Sequence, residues 1–197
     1  MVELVPDSYV AQLDLPRIFG RHAPLHVDLG CGDGAFLAAM ADRYPEENFL
    51  GIDRMPGRID KACRRAVGLN NVRFLLIETS YAVRYLLPAR SVETFYLLFP
   101  DPWPKRRHHD RRVATPDFFN SIHAALEDNG ALRIATDQSD YFDQISRQAQ
   151  THFGFEIVDP AGTSAQADLP HTKFEKRFRS QGVPIHQLTL RKISPVT

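Results

Sequence analysis

Cysteine is scarce in this chain, which contains Cys31 and Cys63 and no others. Two cysteines cannot supply the disulfide framework that stabilises small secreted domains. The sequence also lacks an apolar run long enough to cross a membrane, and no signal peptide is discernible. We therefore expect a cytoplasmic protein that makes no use of a membrane.

Neither sign of charge is in excess, because 24 Lys and Arg residues balance 24 Asp and Glu residues. This balance excludes a surface coated in positive charge but not a local basic patch. The eight histidines show no metal-ligand spacing, so we predict no bound metal. A chain of 197 residues suffices for one hydrophobic core, and it contains no internal repeat.

Predicted strands and helices alternate along most of the chain. The predicted strands are 25–29, 48–52, 71–77, 93–99 and 131–135, followed by an antiparallel pair at 153–158 and 185–193. The predicted helices are 35–43, 55–67, 79–87, 116 to about 128, and 139–152, with a loop at 160–170. The expected fold is α/β: a mostly parallel, Rossmann-like sheet with helices on both faces and an antiparallel C-terminal strand pair. Residues 1–24 are predicted to form a peripheral arm with one short helix, and 25–197 a single domain.

Three glycines, Gly30, Gly32 and Gly34, follow the first predicted strand and open a helix, which is the usual place for a nucleotide-type cofactor. Asp53 ends the next strand, where a carboxylate can accept hydrogen bonds from ribose hydroxyls. The spacing also fits a dinucleotide fingerprint. Asp28 favours S-adenosylmethionine instead, because a carboxylate suits an ammonium or sulfonium group and repels a pyrophosphate. A purely structural strand-to-helix turn is the alternative.

Glu78 ends the third predicted strand at the edge of the same crevice. It is placed to accept a hydrogen bond from an adenine amino group. The alternative is an exposed acid at a helix start, stabilised by the helix dipole.

The sequence FPDPWPKRRHHDRR, from Phe99 to Arg112, follows a buried strand. Its three prolines exclude both a helix and a central strand, so the chain must leave the sheet as a stiff loop. The loop carries a carboxylate, Asp101, and a large ring, Trp103, followed by a row of cations. These groups suit a charged, aromatic ligand, with Trp103 either stacking on a base or covering the crevice. The alternative is a rigid, solvated loop.

With these motifs in view, the chain resembles the bacterial tRNA (guanine-N7-)-methyltransferases, which have the class I S-adenosylmethionine-dependent fold. The resemblance covers about residues 25–193. It rests on DLGCGDG, GID at 51–53, FPDPWPKRRHHDRR, ATD at 135–137 and TKFE at 172–175. The long central motif is the most specific of these.

The resemblance implies methyl transfer from S-adenosylmethionine to N7 of a guanine in the tRNA variable loop. Asp101 would lie between cofactor and guanine and act as the catalytic residue. The cofactor-binding residues would be Asp28, Gly30, Gly32, Gly34, Asp53, Glu78 and Asp101. The substrate-binding residues would be Lys105, Asp137, Thr172, Lys173, Phe174 and Glu175, and the candidate tRNA phosphate contacts are Arg106, Arg107, Arg111 and Arg112.

Several of these residues have simpler interpretations. Thr172 and Glu175 have the spacing of a capping box at a helix start, and Asp137 could instead cap the helix that follows it. A row of cations at helical spacing, Arg54, Arg58, Lys61 and Arg65, forms either a solvated helix face or a further phosphate track.

Three other functions compete with guanine N7 methylation. The first is methylation of an exocyclic amine on another nucleic-acid base, but Asp101-Pro102-Trp103 lacks the second proline of the amine-gripping motif. The second is a nicotinamide-dependent reductase, for which no proton donor is visible. The third is an RNA-binding module without catalytic activity.

Overall fold

In the computed structural model of the protein, the described residues are 2–151, 154–158 and 169–193, with the backbone alone for Arg106. The strands are β1 (Glu3–Leu4), β2 (Leu25–Leu29), β3 (Asn48–Asp53), β4 (Val72–Leu76), β5 (Val92–Leu98), β6 (Leu126–Thr136), β7 (Phe155–Val158) and β8 (His186–Lys192). The helices are α1 (Leu15–Phe19), α2 (Ala35–Arg43), α3 (Pro56–Arg65), α4 (Thr79–Tyr81), α5 (Pro116–Ala125), α6 (Ser139–Thr151) and α7 (Lys173–Ser180). A π-helical turn (Ala82–Leu86) follows α4, and a 3₁₀ helix (Arg106–Arg111) precedes α5.

All eight strands form one sheet in the order β1-β4-β3-β2-β5-β6-β8-β7. The pairs from β1 to β6 are parallel, whereas β8 runs antiparallel to both β6 and β7. The predicted fold class is therefore confirmed. Because β2, β3 and β5 are parallel neighbours, their carboxyl ends meet at one edge of the sheet.

Two hydrophobic clusters fill the two faces of this sheet. On one face, Phe118 of α5 and Tyr141 of α6 pack with the aliphatic side chains of β2, β5 and β6. On the other face, Leu37 of α2 and Ile59 of α3 pack against Phe74 of β4. Every residue of β2 and β3 is buried, as expected for strands covered on both sides. Among the described residues, no helix is long and apolar enough to span a bilayer.

The N-terminal arm contributes more than the predicted short helix. Glu3 and Leu4 pair in parallel with Phe74 and Leu75 of β4, which adds an edge strand to the sheet. The short helix α1 is present, and Asp14 caps it by accepting a hydrogen bond from the Arg17 backbone N–H at 3.1 Å. The boundary between arm and domain at residue 25 stays a prediction.

The helix predicted to extend to about residue 128 is shorter than expected. It begins as predicted, with the Thr115 hydroxyl accepting from the Phe118 N–H, but it ends at Ala125. Leu126 is fully buried and pairs with Val92, so it already belongs to β6. The Asn129-Gly130 pair, predicted to end the helix, lies within β6, where the ladder with β5 shifts register. Pairing within the sheet therefore overrides the local turn signal.

The other predicted elements are present, with ends moved by a few residues. The helix predicted at 79–87 is a single α turn followed by the π-helical turn, in which the Leu87 N–H donates to the Ala82 carbonyl at 3.1 Å. The predicted boundaries at 152 and 153, and most of the loop at 160–170, lie outside the described residues.

Gly34 lies at a close contact between α2 and α3. A Cβ atom on Gly34 would come within 2.6 Å of the Ala62 Cβ and 2.9 Å of both the Ala62 Cα and the Phe74 ring. The residue also has φ of 70°, in the left-handed region. This glycine was predicted to admit the cofactor, but the observed contacts give it a packing role.

We expect Gly34→Ala to lower the free energy of unfolding of the cofactor-free protein by about 2–4 kcal/mol, because the new methyl group meets backbone as well as side chain. Urea unfolding measures the change. The matched control is Gly57→Ala in α3, where an added Cβ meets nothing within 4 Å. That substitution should leave stability unchanged or raise it by up to about 1 kcal/mol. Equal stability of the two variants would contradict the packing role.

Candidate active site

A crevice opens at the carboxyl edge of the sheet, between the glycine turn and the proline-rich loop after β5. Four of the predicted cofactor-binding residues line it together: Gly30, Asp53, Glu78 and Asp101. Trp103 lines it as well. The strand order explains this convergence, since β2, β3, β4 and β5 are neighbours and all end at this edge.

Asp53 ties the glycine turn to the end of β3. Its carboxylate is almost fully buried and accepts hydrogen bonds from the backbone N–H groups of Gly32 (3.0 Å) and Met55 (2.9 Å). Gly30 and Gly32 have positive φ, and an added Cβ would meet nothing within 4 Å at either position. The turn therefore presents bare backbone to open space, as a cofactor site requires. Contact of these residues with a cofactor stays a prediction.

Asp28 lies just before the turn, buried with 4% of its surface exposed. Burial raises the pKa of its carboxyl group to about 7, and the nearby Asp53 carboxylate contributes to the rise. A carboxyl group in this state gains most from a cation that replaces the lost solvation. The position thus suits the positively charged part of a ligand.

Glu78 caps the short helix α4, as its alternative interpretation predicted. Its two carboxylate oxygens accept from the Ser80 N–H at 3.0 Å and the Tyr81 N–H at 2.7 Å. Because each oxygen can accept a second hydrogen bond, this capping role is compatible with the predicted contact to adenine.

Asp33, inside the glycine turn, is a site residue that the sequence analysis missed. Its carboxylate pairs with Lys173 of α7, and with Arg65 of α3 at 2.9 Å. Burial alone would raise the pKa of Asp33, but the hydrogen bonds from Lys173 and Arg65 outweigh it and lower the pKa. These ion pairs join two distant segments, TKFE and the glycine turn. No spacing rule in the sequence signals such a long-range pair.

The TKFE segment starts α7 beside the crevice. Thr172 is the N-cap, since its hydroxyl accepts from the Glu175 N–H at 3.0 Å, so the capping interpretation is confirmed on this side. The Glu175 carboxylate lies 2.8 Å from Arg179 and 2.9 Å from His171. Phe174 is half exposed, with its ring centre 6.3 Å from that of Phe99. The segment therefore borders the loop of Asp101, although substrate contact stays a prediction.

The loop after β5 is held in a costly backbone conformation. Phe99 and Trp103 have φ values of 53° and 43°, a region that non-glycine residues rarely occupy. Each residue in such a conformation lowers the stability of the fold by about 1–3 kcal/mol, so surrounding contacts must hold it in place. Arg111 supplies one such contact by stacking over the Trp103 ring at 5.0 Å. The Asp101 carboxylate is exposed, 3.7 Å from the Arg54 guanidinium.

Arg112 supplies the other support of this loop, and its predicted contact with a tRNA phosphate is wrong. Its side chain is only 2% exposed. The guanidinium donates to the Pro102 carbonyl (2.8 Å), the Gln144 amide oxygen (2.7 Å) and the Asp140 carboxylate (2.6 Å). Because these bonds occupy the guanidinium of a buried side chain, Arg112 joins the loop to α6 and is not free at the surface to bind RNA.

The remaining predicted contacts to substrate and tRNA phosphate are Lys105, Arg106, Arg107, Arg111 and Asp137. Lys105, Arg107 and Arg111 are exposed around the 3₁₀ helix, and the side chain of Arg106 lies outside the described part of the chain. Asp137 follows β6 directly and accepts from the Gln138 side chain. Because α6 begins at Ser139, Gln138 rather than Asp137 occupies the position before the helix.

The side chains of Arg54 and Arg58 are more than half exposed, as predicted for a solvated face. Arg54 faces Asp101, Arg58 lies 3.4 Å from the Asp53 carboxylate, and Arg65 pairs with Asp33. Three cations of this row therefore face acids in or beside the crevice, and their contact with tRNA phosphates stays a prediction. Within the described residues, no group of three His, Cys, Asp or Glu side chains is arranged to hold a metal ion.

Comparison with known proteins agrees with this architecture. Residues 22–188 match the sequence profile of the family described as "Putative methyltransferase". The 16S rRNA methyltransferase KamB has a TM-score of 0.64 at 18% identity, covering 93% of this chain and 95% of that one. The antibiotic-resistance methyltransferase Kmr has a TM-score of 0.63 at 19% identity, covering 98% and 96%. Fold and crevice together define a class I methyltransferase.

Sequence relatives narrow this class to one family. The tRNA (guanine-N(7)-)-methyltransferase of Halorhodospira halophila is 37% identical, over 95% of this chain and 82% of that protein. The enzyme of the same name from Leifsonia xyli subsp. xyli is 37% identical, over 92% of this chain and 82% of its own. The chain belongs to the tRNA (guanine-N(7)-)-methyltransferase family, as its motifs predicted.

The tie between Arg112 and the loop can be tested by substitution. We expect Arg112→Gln to lower the free energy of unfolding by about 2–3 kcal/mol, because it removes charge-assisted hydrogen bonds to Pro102 and Gln144 in a buried setting. Asp140→Asn is the control, since it keeps Arg112 and alters a carboxylate that is 56% exposed. Its cost should stay below about 1 kcal/mol. Thermal unfolding of both variants measures the two losses of stability. A smaller loss for Arg112→Gln than for Asp140→Asn would refute the role of Arg112 in holding the loop.

Proposed function

We propose that this protein transfers a methyl group from S-adenosylmethionine to N7 of a guanine in the variable loop of tRNA. The observation that carries the proposal is the placement of Asp101 across the crevice from the glycine turn and Asp53. The family supports the same reaction, because the relatives that define it are named for it. The sequence relatives favour none of the three competing functions.

The crevice residues fit S-adenosylmethionine by their chemistry. When bound, this cofactor supplies a methyl group on a positively charged sulfur. Asp53 would hold the ribose and Glu78 the adenine, while the open backbone of Gly30 and Gly32 would admit the amino-acid chain that extends from the 5′ side of the ribose. Asp28 would face the cationic part, where its buried carboxyl group gains most from a positive charge.

Guanine N7 carries a free lone pair, so its attack on the methyl carbon requires no general base. The new bond joins N7 to the methyl group, the sulfur keeps the electron pair of the broken bond, and the positive charge passes to the guanine. The protein must align these atoms and favour that charge. Asp101 can accept hydrogen bonds from guanine N1–H and the amino group, which selects guanine over adenine.

The substrate would lie against the elements that surround Asp101. We place Lys105, Asp137 and the TKFE segment in contact with the guanosine, and Arg107 and Arg111 beside the tRNA phosphates. Phe174 supports this placement, because it remains half exposed at the edge of the crevice. Arg54 would lose its ion pair with Asp101 when guanine binds.

The assignment of Asp101 is tested by Asp101→Asn. We expect a loss of tRNA methylation of about 100-fold or more, because the amide removes the charge and presents a donor toward the donors of guanine. Labelled S-adenosylmethionine and unmodified tRNA measure turnover, and calorimetry with S-adenosylhomocysteine measures retained cofactor binding. Asp117→Asn, at a carboxylate that is 82% exposed on α5, is the control that should keep full activity. Wild-type turnover of Asp101→Asn would refute the role.

The raised pKa of Asp28 predicts that the protein releases a proton when the cofactor binds. With its pKa near 7, Asp28 is mostly protonated at pH 6. A cation bound beside it lowers that pKa, so binding should release up to one proton. Calorimetry of S-adenosylmethionine at pH 6, in two buffers of different ionisation enthalpy, counts the protons. Asp28→Asn should abolish the release, and equal counts for wild type and variant would show that Asp28 does not face the cation.

The raised pKa of Asp28 also makes the free energy of unfolding of the cofactor-free protein depend on pH. The folded state keeps the Asp28 proton up to about pH 7, whereas the unfolded chain releases it near 3.8. The contribution of Asp28 to stability is therefore complete below pH 3.8 and is lost as the pH rises to about 7. The free energy of unfolding of Asp28→Asn should fall less than that of wild type over this range.

A further inference from the structure

A second cavity, of about 640 Å³, lies on the sheet face that carries α2, beyond the edge of that helix. Its floor is the exposed face of β5, β6 and β8, where Tyr96, Arg133 and Gln187 stand. Helix α7 forms the opposite wall with Glu175, Lys176 and Arg179. None of the cofactor residues assigned above lines this cavity.

Arg133 reaches the cavity because of strand alternation. Its neighbours Leu132 and Ile134 point into the hydrophobic cluster on the other face, so Arg133 must point to this one. Tyr96 and Thr189 flank it across the two neighbouring strands. The Nε and Nη1 atoms of Arg133 are buried, and no described residue hydrogen bonds to either. Arg133 as a whole is only partly buried, but buried donors without a partner are costly for a folded protein.

Arg133 has an acidic neighbour outside the cavity lining, Glu93, whose pKa is raised by burial and by Glu127 but lowered by the charge of Arg133. Within the lining itself, cations predominate. Lys176 and Arg179 add two more cations to the wall. Among the described lining residues the acid is Glu175, which already pairs with Arg179 and His171. The positive field extends beyond the cavity: after burial, the charge of Arg133 is the second cause that lowers the pKa of His26 to about 4.

The cavity adjoins the candidate active site. Leu98, at the end of β5, lines both the crevice and this cavity. The TKFE segment lies between them, with Phe174 beside Phe99 on one side and Glu175 on the cavity wall. A group bound beside Arg133 would therefore be close to the base that receives the methyl group.

We propose that this cavity binds a backbone phosphate of the RNA strand that carries the target guanine, with Arg133 as its main ligand. The inference rests on the proposed function and adds a substrate-positioning contact to it. Enzymes that act on a base in folded nucleic acid draw that nucleotide out of its stack. The phosphate beside it then needs a cationic partner within the protein. The unpartnered Nε and Nη1 donors lie on different edges of the guanidinium, so each can donate one charge-assisted hydrogen bond to a phosphate oxygen.

Arg133→Gln tests the site, with Arg191→Gln as the matched control. Arg191 is on β8, is half exposed and pairs with Glu156 at 2.6 Å, away from the cavity lining. We expect Arg133→Gln to weaken tRNA binding about tenfold at low salt. The slope of log affinity against log salt should become shallower by about 0.7–0.9, the value for one lost phosphate contact. The control should keep the wild-type affinity and slope.

Two further measurements separate a ligand site from a structural residue. The melting temperature of the free protein should stay the same or rise in Arg133→Gln, because the substitution removes buried donors that have no described hydrogen-bond partner. Inorganic phosphate, compared with sodium chloride at equal ionic strength, should raise the melting temperature of wild type more than that of Arg133→Gln. A lower melting temperature with an unchanged salt slope would show a structural role and overturn the proposal.

The remaining outcomes identify the anion. If Arg133→Gln weakens binding of S-adenosylhomocysteine tenfold and leaves the tRNA slope unchanged, the anion is the cofactor carboxylate and the phosphate site is overturned. Methylation by the wild-type enzyme is scored separately. If wild type methylates no tRNA guanine at N7, the proposed function fails, and the binding comparison still decides whether Arg133 contacts an RNA phosphate.

Discussion

The parallel pairing of β2 with β3 and β5 is the constraint on which the rest of the structure depends. Because the three strands share one direction, the glycine turn, Asp53 and the loop of Asp101 all follow carboxyl ends at one edge. The backbone N–H groups of Gly30 and Cys31 extend this pairing by donating to the Ile52 carbonyl, at 2.8 and 3.0 Å. The crevice is thus a consequence of strand direction before any side chain is considered.

Ion pairs connect the elements that surround the crevice. Arg54, before α3, and Arg58 and Arg65 within it each face an acid, and Lys173 joins α7 to the glycine turn through Asp33. The Arg54–Asp101 pair is exposed on both sides, and such pairs are worth about 0–1 kcal/mol, so a bound ligand can displace this one at little cost. Asp28 differs, because it is buried and its raised pKa shows that the fold leaves its charge poorly compensated. At Arg133 the charge is positive instead, and its Nε and Nη1 atoms are buried without a described hydrogen-bond partner.

The loop after β5, which carries Asp101, contains strained residues together with contacts that support them. Phe99 and Trp103 occupy backbone conformations that cost energy, while Arg112 and Arg111 hold the loop through hydrogen bonds and stacking. The three prolines reduce the alternatives open to the unfolded loop, which lowers the entropy lost when it becomes ordered. This arrangement fixes the position of Asp101 without burying its carboxylate.

The sequence by itself determined the α/β fold, the order of its elements from β2 onward, the family and four residues that line the crevice, Gly30, Asp53, Glu78 and Asp101. These features can be predicted from the sequence because hydrophobic alternation in strands, glycine spacing and proline content each act on neighbouring residues of the chain. Only the tertiary structure decided the roles of Arg112, Asp33, Gly34 and Leu126. Arg112 has the same composition signal as its exposed neighbour Arg111, and only the packing of α6 buries it. The partners of Asp33 and Leu126 are distant in the sequence, and pairing with them overrides what neighbouring residues indicate, because burial and hydrogen bonding contribute more than local propensity.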